Sequence, residues 1–167
     1  MSAEIMTESE TGGKKGSKLA RYDLIPPLEW GLLLDVLDSP ERSMHDYWEG
    51  KNSETILMPI KAARWAVETL WEQKGLQISD VELLLAEHYG KCGGNGSPET
   101  VKYEDNNWQN GYDWSLSYSA GRRHLQAWRG GEDIDEETGS LHLIAFIWHC
   151  LCLTWFFDNK PEFDNRK

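Results

Sequence analysis

The sequence predicts an all-α protein, a helical bundle of about five helices, and three observations carry that prediction. Apolar residues recur at spacings of three and four in several separate stretches, which is the helical period. One run, from Leu141 to Phe157, is apolar nearly all round, as expected of a helix at the centre of a bundle. No stretch alternates apolar and polar residues in the manner of a strand. At 167 residues the chain suits one core rather than two. The expected organisation is a disordered tail over 1–19, a single all-α domain over 20–158 and a mobile tail over 159–167.

The elements follow in order. Residues 1–19, with Thr11-Gly-Gly-Lys-Lys-Gly-Ser17, lack apolar periodicity, and the Gly-Lys-Ser/Thr ending of a phosphate loop is missing. Pro27 suits the first position of a helix over Leu28 to Leu37. Ser53 and Glu54 are placed to open a second helix, in which Ile56, Ile60, Ala63, Val67 and Leu70 keep the helical spacing. Ser79 or Asp80 can cap a shorter third helix carrying Val81, Leu84, Leu85 and His88, followed by a loop from Lys91 to Pro98. Trp114, Tyr118, Gly121, Leu125 and Trp128 define a fourth helix over Asp113 to Arg129, ended by Gly130 and Gly131. Asp133 and Asp135 can cap the last helix.

Composition removes several classes of function. The net charge of -11 argues against a general nucleic-acid binder, whose affinity rests on clustered Lys and Arg. A nucleotide stays open, because carboxylates can bind Mg²⁺ and the metal can meet phosphate oxygens. Cys92, Cys150 and Cys152 are odd in number, and two lie in the most apolar run, which fits reduced cytosolic thiols. That run is broken by His142, His149 and Thr154 and falls short of the roughly 20 residues of a membrane span. The polar, acidic start does not resemble a signal peptide. The nine tryptophans supply core mass and, at some positions, flat faces for a base.

Chemically capable groups concentrate between Lys102 and His149. They comprise Lys102-Tyr103, Asn107-Trp108, Arg122-Arg123-His124, the acidic loop Glu132-Asp133-Ile-Asp135-Glu-Glu137, and His142. Helices joined by a short loop lie antiparallel, so His124 and His142 can both approach the loop carboxylates. His142 and His149 share a helix face but stand about 10 Å apart along it, too far to share a zinc ion. In isolation, His124 reads equally as a hydrogen-bonded core-edge residue or a site residue, and His149 reads as structural. Glu132 to Glu137 alone would be a solvated helix cap.

Together these residues resemble a known family. Arg21-x-Asp-Leu-Ile-Pro-Pro27, Lys102-Tyr103, Asn107-Trp108, Arg123-His124-Leu125, Gly131-Glu132-Asp133-x-Asp135-x-Glu137-x-Gly139 and His142-Leu143 resemble the pattern of the phage-type dATP/dGTP diphosphohydrolases. These are relatives of the MazG-like all-α NTP pyrophosphohydrolases. The resemblance implies a MazG-like fold and Mg²⁺-dependent hydrolysis of a purine deoxynucleoside triphosphate to monophosphate and pyrophosphate. It implies Glu132 and Asp135 as metal ligands, and Glu137, His124 and His142 as catalytic groups. Lys102, Tyr103, Asn107, Trp108, Arg122 and Arg123 would bind substrate. A homo-oligomer in the cytoplasm, of an infected host cell if phage-encoded, is also implied, with a small-molecule nucleotide as partner and neither a nucleic-acid polymer nor a membrane.

The chain departs from that pattern at Ala145, where a second histidine is common, and in the extra residues between Pro27 and Lys102. Two alternatives stand beside the enzyme, the first motivated by these departures and the second by the acidic loop and aromatic surface. One is a non-catalytic phage protein that sequesters a nucleotide or a nucleotide-derived immune signal, an anti-defence sponge. The other is an interaction module that docks on a host protein.

Overall fold

A computed structural model of the chain describes residues 4–8, 14–18, 20–38, 53–93 and 105–166. Among these, five α-helices are present: α1 (Pro27–Asp38), α2 (Ser53–Lys74), α3 (Ile78–Gly93), α4 (Trp114–Arg129) and α5 (His142–Asn159). The predicted all-α bundle is therefore the observed architecture. Short 3-10 turns at Tyr22–Leu24, Asn107–Asn110 and Pro161–Phe163 join or flank the helices.

Helix α5 is the hub, as its all-round apolar sequence predicts, and α1, α2, α3 and α4 all pack on it. Leu143, Ile144, Ile147, Leu151 and Phe156 are at most 1% exposed. Each such side chain stabilises the fold by about 1.5–3 kcal/mol. The polar interruptions in α5 are accommodated one by one. Thr154 donates to the Cys150 carbonyl at 2.8 Å within the helix, while His142 and His149 meet residues of α4. No described helix is long and apolar enough to cross a membrane.

Local chemistry sets the helix ends. Pro27 opens α1 with its fixed φ. Asp80, in the first turn of α3, reaches back to accept the Gln77 N–H at 2.8 Å, one half of a capping box. Helix α4 ends at Arg129 with Gly130 as its C-cap, and Gly131 follows with φ +99°, a conformation that favours glycine.

Four expectations need correction. The N-terminal segment is not a tail without regular structure: Glu4–Glu8 and Lys14–Lys18 pair antiparallel, Glu4 opposite Lys18 and Glu8 opposite Lys14. Neither EIMTE nor KKGSK alternates apolar with polar residues, so no strand pattern registers. Helix α3 runs through Gly93, so Lys91, Cys92 and Gly93 belong to it rather than to a loop. Neither Asp133 nor Asp135 caps α5 with its side chain. Leu141 holds the N-cap position, and Asp133 contributes its backbone carbonyl to the His142 N–H at 2.8 Å.

Finally, residues 160–166 dock on the body instead of trailing from it. The Trp114 indole donates to the Lys160 carbonyl at 3.0 Å, and Asn165 Oδ1 accepts the Ser115 N–H at 3.1 Å. Asn165 thus satisfies one of the backbone donors left open at the start of α4. The Arg166 guanidinium lies 4.9 Å from the centre of the Trp114 ring.

Candidate active site

The loop between α4 and α5 folds into a compact, self-bonded structure. Ile134 and Leu141 form an antiparallel bridge, and the Asp135 N–H donates to the Ser140 carbonyl at 2.8 Å. Within it, Asp135 accepts from the Thr138 hydroxyl at 2.8 Å on one carboxylate oxygen and from the Glu137 N–H at 3.2 Å on the other. This is an Asx-type turn, and Gly139, at φ +74°, closes it through its N–H to the Asp135 carbonyl at 2.7 Å. Lys74 of α2 ties the loop down by an ion pair with Asp133 at 3.1 Å.

The closed loop sets the start of α5 beside the end of α4. There His124 Nδ1 and His142 Nδ1 lie 2.9 Å apart. A hydrogen bond between two imidazole nitrogens requires one to carry the proton and the other a lone pair. His142 is 6% exposed, and its Nε2 has no hydrogen-bond partner; the Glu132 carboxylate stands 3.6 Å away. A proton on His142 Nε2 would face that carboxylate, and in that tautomer His142 Nδ1 accepts and His124 Nδ1 donates. His124 then carries its lone pair on Nε2.

Two more histidines complete the cluster. His149 Nδ1 bonds Ser117 Oγ at 3.1 Å, and its ring stacks on that of His124 at 5.8 Å and 27°. His88, from α3, bonds Ser140 Oγ through Nδ1 at 2.8 Å, and Lys91 donates to the same hydroxyl at 3.5 Å. Burial holds both His88 and His149 at about 3, far below the ordinary histidine range, with neighbouring positive charge adding to it. Burial also lowers His124, helped by His142 and Arg123 and opposed by Asp135 and Glu137. Burial alone would raise the Asp135 carboxyl; its bonds to Thr138 and Glu137 and the nearby His124 and His142 hold it below the usual range.

An open depression of about 460 Å³ lies over this loop, lined by Glu132, Ile134, Asp135, Glu136 and His142. Its carboxylates are the oxygen donors that Mg²⁺ takes, and Mg²⁺ commonly uses one or two of them and completes its shell with water and phosphate. The donor chemistry therefore fits. Among the described residues, no three such side chains converge into a ready-made metal cage.

Residues 73–166 match the family model for the N-terminal region of dATP/dGTP diphosphohydrolases. The chain belongs to the dATP/dGTP diphosphohydrolase family. No curated protein and no solved structure matches the chain. The family match begins at the end of α2 and takes in α3, α4, the acidic loop and α5, so every histidine of the cluster lies inside it. The Arg21 to Pro27 motif lies outside the matched span. It nevertheless packs on that region: the Arg21 N–H donates to the Ala86 carbonyl at 3.0 Å, and its guanidinium pairs with Asp23 at 2.7 Å and Asp105 at 3.1 Å.

The other sequence-predicted site residues of this family member divide. Glu137 and Arg123 lie near enough to His124 to act on its charge. Asn107 is exposed at the start of its 3-10 turn. Arg122 donates to Tyr118 at 2.9 Å along the exposed side of α4 and does not join the histidine cluster. Trp108 is 6% exposed and packs in the core against Trp155, Phe156 and Trp148 at centroid distances of 5.0, 5.9 and 6.2 Å. Lys102 and Tyr103 lie outside the described residues. Sequence reasoning missed Ser117, Tyr112 and Ser140. Ser117 could have been found as a polar residue in the stripe Trp114, Ser117, Gly121, His124, which keeps helical spacing.

Proposed function

We propose that the chain hydrolyses a purine deoxynucleoside triphosphate, dATP or dGTP, to the monophosphate and pyrophosphate with Mg²⁺. The single observation that carries this reading is the His124–His142 contact at 2.9 Å beside the acidic depression, inside the span matched to the family. Glu132 and Asp135 would hold the cation, which when bound supplies charge neutralisation on phosphate oxygens and a more acidic water. His124 is neutral at physiological pH because burial lowers its pKa, so its Nε2 lone pair is ready to take a proton from water. His142 orients His124 through the Nδ1 contact, and Glu132 in turn orients His142. Glu137 is a second candidate for proton acceptance, and Arg123, Lys102, Tyr103 and Asn107 are candidates for substrate binding. The reading carries a cytoplasmic site of action, in an infected host cell if the gene is a phage's, and a homo-oligomeric state. It involves no nucleic-acid polymer and no membrane.

A second reading rests on Asp135, whose two carboxylate oxygens already accept hydrogen bonds within their own turn. A carboxylate so engaged suits a protein that holds a nucleotide, or a nucleotide-derived immune signal, without turning it over. Incubation with a panel of nucleoside triphosphates and signalling nucleotides in Mg²⁺, followed by mass spectrometry, separates the two. Monophosphate with pyrophosphate supports hydrolysis, and an intact nucleotide recovered with the protein supports sequestration.

A further inference from the structure

His124 has a stacking partner as well as a hydrogen-bonding one, and the chain behind that partner leads away from the acidic depression. His149 covers the His124 ring at 5.8 Å. Ser117 Oγ holds His149 Nδ1 at 3.1 Å, and the Tyr112 hydroxyl holds Ser117 Oγ at 2.6 Å. Ser117 is 1% exposed, so its hydroxyl is a buried polar group, costly to bury unless bonded, and both of these bonds satisfy it. Gly121, one turn further along α4, faces the same place. A Cβ there would stand 3.4 Å from the Cβ of His149 and 3.6 Å from the Phe146 ring, at ordinary van der Waals distance, so α4 packs directly on α5 at this point.

We propose that Ser117 is a positioning residue of the site: with Tyr112 it fixes the His149 ring, which by stacking fixes the plane in which His124 presents Nδ1 to His142. The need for such a support is geometric. A shared proton between two Nδ1 atoms survives only while the rings keep their mutual orientation, and the hydrogen bond weakens steeply as its angle closes. The Nδ1 contact at 2.9 Å restrains the χ2 angle of His124 from one side, and the His149 ring, stacked at 5.8 Å and 27°, limits the tilt of the ring from the other. Packing volume alone would be served equally well by alanine at position 117, whereas the bond to His149 requires a hydroxyl.

This inference rests on the catalytic reading of His124, and its test separates the two. In the ¹⁵N-labelled full chain, long-range ¹⁵N–¹H spectra report which ring nitrogen of each histidine carries the proton. Ser117→Ala is expected to move the ring-nitrogen signals of His124 and His149 while the helical circular dichroism stays unchanged. With dATP or dGTP, kcat should fall about tenfold or more, the scale of loss when a reacting group is misplaced, with KM within about twofold. Tyr112→Phe, which keeps the ring and removes only the far hydroxyl, should move the same signals by less and serves if Ser117→Ala does not fold. Unchanged His124 signals in a folded variant would overturn the proposal. If the wild-type chain turns over neither nucleotide while Ser117→Ala still moves the His124 signals, the proposed reaction fails and the positioning role stands.

Discussion

His124 and His142 meet through their Nδ1 atoms at 2.9 Å, so two imidazoles from two helices share one hydrogen-bonding proton. Neither ring can be replaced without leaving the other's nitrogen unmatched in a partly buried place. His124→Ala and His142→Ala should each lower pyrophosphate release from dATP or dGTP by roughly 100-fold or more, the scale of lost acid–base assistance. Because the rings act as a unit, the double variant should be little worse than either single one. Initial rates of the three variants check this; additive losses would show that the rings act separately.

Acid should destabilise the fold through the histidines the cluster buries. His88 and His149 are held at about 3 in the folded protein, against about 6.5 when unfolded. Lowered folded values mean that the unfolded chain binds protons first. The stability these groups contribute is therefore complete above about pH 6.5 and is lost as pH falls toward 3. The loss approaches about 1.4 kcal/mol per pH unit for each histidine. Urea midpoints measured from pH 7 to pH 4 should fall steadily, and His149→Phe should flatten the slope.

The docked C-terminal segment depends on Gly111. Its φ is +92°, and a Cβ there would stand 2.5 Å from the Phe163 ring. Gly111→Ala should destabilise the protein by about 1–3 kcal/mol, from the strained backbone and the displaced ring. Thermal melting reads the loss. Removing residues 160–167 should also lower the melting temperature, and Gly111→Ala should then cost less, because the ring it strikes is gone.

In the core, Leu151 of α5 is fully buried. Leu151→Ala should cost about 2–5 kcal/mol in urea unfolding, with helical content retained in the native baseline. A much smaller cost would mean that α5 is not the packed centre of the bundle.

The fold was legible in this sequence because its signals are long and repeated. The spacing of Ile60, Ala63, Val67 and Leu70 is enough to place α2, and the all-apolar run of α5 is enough to place it at the centre. The short connection between helices suggested that His124 and His142 both approach the loop carboxylates; their direct contact at 2.9 Å was not read from the sequence. What stayed hidden depends on tertiary contact. Trp108 alone reads as a core residue, and only the family resemblance implies a substrate role for it; its three aromatic neighbours lie too far along the chain for the sequence to show that packing. Asp135 looked like a helix cap, but Thr138, three residues on, offered it a nearer partner. Ser117 carried no motif at all, and its partners Tyr112 and His149 are 5 and 32 residues away.

The most direct test of the proposed reaction is hydrolysis of dATP and dGTP with Mg²⁺ in ¹⁸O-labelled water, with the products separated and weighed. Attack by water at the α-phosphorus should place a single ¹⁸O in the monophosphate and none in the pyrophosphate. Label in the pyrophosphate, release of single phosphates, or nucleotide returned unchanged would contradict it.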